Sequence, residues 1–153
     1  MIRCICVGKI KEKSLQDSIL EYVKRIQPYH KTEIIEVEDE STAKQNILAL
    51  EKEGERILSK IKEREFVILL DVCGKEYDSI AFSKQIDEAL SYQGNRVVFV
   101  IGGSLGVSES VRKRAQIRWK LSSCTFPHGI VRLLLVEQIY RAFRILNKEP
   151  YHK

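Results

Sequence analysis

A chain of 153 residues, 44% hydrophobic and 31% charged, suits one globular domain spanning 1–153 with enough chain to close a core. No apolar run approaches the roughly 20 residues that cross a bilayer, and the opening Met1-Ile2-Arg3-Cys4-Ile5-Cys6-Val7 is too short for a signal peptide. A membrane span is excluded and a cytoplasmic location expected. The net charge of +5 is uneven: from Ser110 to Lys153 ten Lys and Arg face two acids, which leaves the rest net acidic. A positive end suits a polyanionic partner, nucleic acid first; a solvated helix face with internal ion pairs is the alternative.

In chain order, Ile2 to Val7 reads as an apolar strand closed by Gly8. Ser14, with Asp17 three residues on, predicts a helix start; Leu15, Ile19, Tyr22, Val23 and Ile26 share one face, and Pro28 ends it. Lys31 to Val37 alternates as a second strand. The acids Glu36, Glu38, Asp39 and Glu40 read as a solvated loop, and with no histidine among them no metal site is expected. Ser41 is placed to cap the next helix, with Ile47, Leu48, Leu50, Ile57, Leu58 and Ile61 as its buried stripe. Gly54 inside that helix marks a kink or a close approach.

Phe66 to Val72 is apolar almost throughout, as a central parallel strand covered on both faces should be; Asp71 breaks the run and Gly74 follows. Asp78 or Ser79 caps a helix with Ile80, Phe82, Ile86, Ala89 and Leu90 inward, ended by Gly94-Asn95. Arg96 to Ile101 and Ile117 to Leu121 are the fourth and fifth strands. Alternation with short connections predicts an α/β fold, a mainly parallel sheet with helices on both faces. In such sheets ligands bind beyond the carboxyl ends of strands, here after Leu70, Ile101 and Leu121. Cys4 and Cys6 alternate along the first strand and share a face. With no CxxC pair, Cys4, Cys6, Cys73 and Cys124 read as reduced structural thiols.

The last third carries most of the chemistry. Gly102-Gly103-Ser104-Leu105-Gly106 joins a strand to a helix that Ser108 can cap. It is neither GxGxxG nor a P-loop, and Glu109 in the first helical turn argues against a phosphate there. The turn is either a tight connection or a backbone that lies against a flat ligand. Leu121-Ser122-Ser123-Cys124-Thr125-Phe126-Pro127-His128 either satisfies its own backbone with its hydroxyls or offers polar groups to an adenine edge between Leu121 and Phe126. The helix from Ile130 to about Leu146 is too apolar for a surface helix, which suggests burial in a homodimer. Arg132 on its apolar side needs a partner or a subunit boundary, and Glu137 with Arg141 forms an i,i+4 pair. The Tyr151-His152-Lys153 tail is either frayed or an RNA-stacking element.

Phe99 to Gly106, Leu121 to His128, the run from Val131 to Phe143 and the closing Pro150-Tyr151-His152-Lys153 together resemble the RlmH family in order and spacing, and Ile2 to Lys9 and Leu70 to Lys75 also fit. That family methylates N3 of a pseudouridine in helix 69 of 23S rRNA on the assembled ribosome. The resemblance covers essentially the whole chain. It implies a SPOUT-type fold with a C-terminal trefoil knot, a homodimer and S-adenosyl-L-methionine as methyl donor. By position it implies donor-binding residues Leu70, Gly102, Gly103, Leu121, Ser122, Ser123, Cys124, Thr125 and Phe126. It places Arg112, Arg114, Arg118, Arg141, Tyr151, His152 and Lys153 toward 23S rRNA. The proton acceptor is unassigned, with His152, Tyr151 and His128 as candidates. Two rivals stand beside the methyltransferase: a noncatalytic RNA- or ribosome-binding α/β module, and a small α/β enzyme with another nucleotide cofactor.

Overall fold

The computed structural model describes residues 1–40, 47–91 and 94–153. Ten elements alternate along it: β1 (Ile2–Val7), α1 (Lys13–Ile26), β2 (Thr32–Val37), α2 (Ile47–Lys60), β3 (Phe66–Glu76), α3 (Ser79–Ser91), β4 (Val97–Ile101), α4 (Glu109–Arg114), β5 (Ile117–Lys120) and α5 (His128–Leu146). The strands form one sheet in the order β2-β1-β4-β3-β5, parallel at every pairing. This is the α/β architecture that the alternation predicts.

Two-residue alternation sends each strand's side chains to two separate cores. Ile2, Cys4, Cys6, Val97, Phe99 and Ile101 join Ile19, Ile86, Ile139 and Phe143 under α1, α3 and α5. Ile5, Val7, Val67, Leu69, Val98 and Val100 join Ile57, Val107 and Val111 under α2 and α4. Both faces are covered, which is why β4 and the first part of β3 read as continuous apolar runs and β1 as apolar but for Arg3. Cys4 and Cys6 do share a face, and burial pushes the Cys6 thiol up to about 12, so both are inert packing groups. Trp119 stacks on Phe82 with ring centroids 4.1 Å apart and fastens the edge strand β5 to α3.

Several local readings change. Helix α1 begins at Lys13, because the Gln16 N–H already bonds the Glu12 carbonyl at 3.1 Å; Ser14 lies inside and caps nothing. The Ser41 cap falls outside the described residues. In α2 the buried residues are Ala49, Gly54 and Ile57, while Ile47 and Leu48 are exposed. A Cβ on Gly54 would strike Ser108, and that close approach to α4 fixes the helix's rotation. Leu48 points away from it and Ile47 lies two turns before it. Ile80, in the first turn of α3, is also exposed, whereas Asp78 does cap that helix through the Ala81 N–H at 2.7 Å. Strand β3 does not stop at Val72. It pairs with β5 through Leu70, slips register, and pairs again at Lys75 and Glu76. Gly74 makes the slip possible, since a Cβ there would lie 2.5 Å from the Arg118 carbonyl oxygen.

Candidate functional site

The carboxyl ends of β4 and β5 meet the register slip of β3, at Leu70 to Val72, around a cleft of about 380 Å³. Of the nine residues expected to hold a cofactor, eight line it: Leu70, Gly102, Gly103, Leu121, Ser122, Cys124, Thr125 and Phe126. Ser123 does not, because its hydroxyl turns to Glu76 Oε1 at 3.1 Å. Ser122 Oγ accepts the Cys124 N–H at 3.0 Å, so part of this loop does satisfy itself. Thr125 has no side-chain hydrogen bond among the described residues. Asp71, Arg112, His128 and Val131 complete the walls. Leu70, Leu121, Phe126 and Val131 offer apolar faces, and the loops between them offer backbone polar groups. A flat heterocycle with a polar edge fits such a lining.

The glycine turn is closed by its own backbone. The Gly106 N–H donates to the Gly103 carbonyl at 3.0 Å, and Gly106 has φ +86°. A Cβ on Gly102 would sit 2.5 Å from the Gly106 oxygen and 2.6 Å from Val107 Cγ1. Gly102 is therefore demanded by the turn itself as well as by anything that lies against it. Val107 and Val111, both buried, anchor the turn and α4 to the second core. Ser108 occupies the N-cap position, but its hydroxyl pairs with Ser110 Oγ at 2.8 Å instead of capping.

Charge at the cleft is concentrated on Asp71, whose side chain is almost buried. Burial alone would raise its carboxyl. The Cys73 N–H at 3.0 Å, Arg118 Nε at 2.8 Å and nearby Arg112 outweigh that and hold it below the usual carboxylate range. Arg118 and Arg112 thus share this one acid, and of the two only Arg112 lines the cleft. Arg114, also expected to face RNA, donates to the carbonyls of Lys62 (3.0 Å), Glu63 (3.2 Å) and Glu65 (2.8 Å), so it fastens α4 to the turn before β3.

Helix α5 starts at His128, which lines the cleft, two residues earlier than its pattern suggests. One turn on, Arg132 finds its partner inside the chain. It donates to the carbonyls of Val7 (2.9 Å) and Gly8 (2.6 Å) and pairs with Glu36 at 2.7 Å, so no subunit boundary is needed to satisfy it. The acidic run is therefore less free than expected: Glu36 is a β2 residue tied to Arg132, and Glu40 pairs with Arg56. Together with Glu38, Asp39 and Glu53 these acids line a trough of about 1030 Å³ that shares Gly103, Ser104 and His128 with the cleft. A polyanion would be repelled from that side.

The tail folds back on α5. Tyr151 donates to Glu137 Oε1 at 3.0 Å and lies under the Arg141 guanidinium, 4.7 Å from ring centroid to carbon. Arg141 Nε also binds Glu137 at 3.0 Å, the expected i,i+4 pair. His152 Nδ1 is 3.4 Å from Arg141, and His152 and Lys153 are exposed. Nine residues separate His128 from Glu137, about 14 Å of helix. Within one chain, then, only His128 of the three proton-acceptor candidates reaches the cleft. The wall residue that sequence reasoning placed elsewhere is Arg112; its position in the first turn of the helix that follows the glycine loop was the available signal.

A family model described as "Predicted SPOUT methyltransferase" matches residues 1–152. The chain is 50% identical to ribosomal RNA large subunit methyltransferase H of Clostridium acetobutylicum, over 99% of both chains. It is 49% identical to that of Desulfitobacterium hafniense, over 99% of this chain and 98% of the relative, and 47% identical to that of Streptococcus gordonii, over 99% of both. The structure of a probable methylase family protein from Haemophilus influenzae Rd KW20 superposes with a TM-score of 0.55 at 13% identity, covering 96% of this chain; the chain spans 66% of that structure's length.

Proposed function

The chain belongs to the SPOUT methyltransferases, in the family of ribosomal RNA large-subunit methyltransferase H, and from that premise we propose its reaction. It transfers the methyl group of S-adenosyl-L-methionine to N3 of a pseudouridine in helix 69 of 23S rRNA, on the assembled ribosome in the cytoplasm. The observation that carries this is the meeting of the segments after Leu70, Ile101 and Leu121 in one cleft with largely apolar walls and backbone edges. The lining suits an adenosyl group: Leu70, Leu121 and Phe126 for the faces of the ring, and the 121–126 loop for its polar edge. When bound, the donor supplies an electrophilic sulfonium methyl. The stretch from β4 through α5 is read as the SPOUT trefoil by family membership; α5 follows the edge strand β5 and packs against both α1 and α3.

This chain's residues have three tasks. They align the donor against the base, so that most of the barrier is met by positioning. They remove the N3 proton of neutral pseudouridine, for which His128 at the cleft is the candidate in the same chain. They hold the RNA, for which Arg118, Arg141 and Lys153 supply cations and His152 a ring that can stack or hydrogen-bond. Tyr151 and His152 reach a cleft only across a homodimer. Such a dimer is supported by the apolar side chains that α5 leaves uncovered, exposed Ile130 and half-buried Leu133 and Leu134.

The test incubates the protein with isotopically labelled donor and ribosomes lacking the modification, with free 23S rRNA as control, and maps the label by mass spectrometry. Labelled methyl on a helix 69 pseudouridine, in ribosomes and not in free RNA, is expected. Ribosome binding without donor binding or label would leave the noncatalytic module standing instead.

A further inference from the structure

Among the described residues the cleft walls carry two charged side chains, Asp71 and Arg112, beside the Cys124 thiol and the His128 imidazole, and Arg112 is the permanent cation among them. Its guanidinium is held but not satisfied. Nε stands 3.6 Å from Asp71 Oδ2 and Nη1 3.8 Å from Glu109 Oε2, distances of ion pairing without hydrogen bonding. Among the described residues the side chain makes no hydrogen bond, and its Nε is shielded from solvent and unpartnered. Asp71 meanwhile gives its own oxygens to Arg118 at 2.8 Å and to the Cys73 N–H at 3.0 Å. The acid therefore fixes where Arg112 stands and leaves its donors unused. A Cβ on Gly106 would lie 3.7 Å from Arg112 Nη2, so the guanidinium rests on the glycine turn, inside the wall and not on the outer rim.

We propose that Arg112 binds the carboxylate of the donor's amino-acid end, so that the cleft reads both halves of the donor: the adenosyl group by loops and the amino acid by this guanidinium. The inference rests on the donor reading above. A planar guanidinium with free N–H groups is the natural receptor for a carboxylate. Among the described residues, a ligand with a carboxylate inside this cleft meets no other fixed positive charge on its walls. An RNA phosphate is the competing anion, but it would stay outside a cleft sized for a nucleoside with a short chain.

Calorimetry on the full chain separates these outcomes with two probes: S-adenosylhomocysteine, which has the amino-acid end, and methylthioadenosine, which lacks it. Arg112→Gln should weaken S-adenosylhomocysteine about tenfold or more while methylthioadenosine stays within about twofold, and Arg112→Lys should recover part of the loss. Equal weakening of both probes, or no change in either, overturns the assignment. So does a variant that binds S-adenosylhomocysteine normally but needs more ribosomes for half-maximal methylation, which would give Arg112 to an RNA phosphate. If the unaltered protein bound neither probe, the donor reading itself would fail and take this inference with it.

Discussion

The two ends of α5 are held by different physics. At the cleft end one buried guanidinium, Arg132, is 3% exposed and spends its donors on two backbone carbonyls and Glu36. At the far end the tail is tied by half-exposed groups: Arg144 to Glu149 at 2.7 Å, Arg144 to the Pro150 carbonyl at 3.0 Å, and Tyr151 and Arg141 to Glu137. Buried and exposed ion pairs differ severalfold in what their loss costs. The contrast gives the helix a fixed root beside the site and a tail that can detach at little cost. For a protein whose tail is proposed to act in a neighbouring subunit's cleft, that asymmetry is useful.

The largest expected effect is therefore at the root. Arg132→Met keeps the apolar stem but strips three interactions and leaves the Val7 and Gly8 carbonyls without this donor. It should destabilise the protein by about 3 kcal/mol in urea unfolding. Glu36→Gln should cost much less, since Glu36 is half-exposed and Arg132 retains its two carbonyls. Equal losses in the two variants would mean that the ion pair, and not the backbone anchorage, holds the root.

Most of this root and cleft is written in the sequence, but not all of it. Largely apolar strands announce a sheet covered on both faces, and the segments after Leu70, Ile101 and Leu121 do converge, although the first proves to be a slip within β3 and not a strand end. Arg132 on an apolar helix face announces a missing partner, yet no local pattern names one 96 residues away. The register slip in β3 was illegible because an apolar run followed by Asp71 and Gly74 looks the same whether the strand ends or bulges. Only the Arg118 carbonyl beside Gly74 decides it. Helix starts went astray at Ser14 for a related reason: a capping residue type is common, and the backbone took its first turn a little earlier. The positive end pointed to RNA as a bulk property. The structure shows that Arg114 spends its charge internally, which composition does not reveal.

A smaller effect is expected at the tail. Glu137→Gln removes the charge that Arg141 pairs with and weakens the seat of the Tyr151 hydroxyl. Global stability should fall by less than about 1 kcal/mol, because the groups are partly solvated. Amide exchange across residues 148–153 should nevertheless quicken, while the amides of α5 beside the cleft stay protected. If exchange quickened along the whole helix, the two ends would be one cooperative unit and the contrast between them would dissolve.

The smallest effect tests the same seat by pH. Burial raises the Tyr151 hydroxyl above the ordinary tyrosine value, and its hydrogen bonds with Tyr22 and Glu137 raise it further. Its folded value thus lies above its unfolded one, near 10. The stabilisation is complete below the unfolded value and is lost as pH rises from there through the folded value, because the unfolded chain releases the proton first. Between pH 7 and 9 the tail should be indifferent to pH. Above about 10 the unaltered protein should lose stability relative to Tyr151→Phe, which has no proton to lose at that position. Tyr29, also raised, is present in both proteins and cancels in the difference. Parallel alkaline limbs in the two proteins would show that the Tyr151 hydroxyl is not seated on Glu137 in solution, and that the tail already stands away from its own helix.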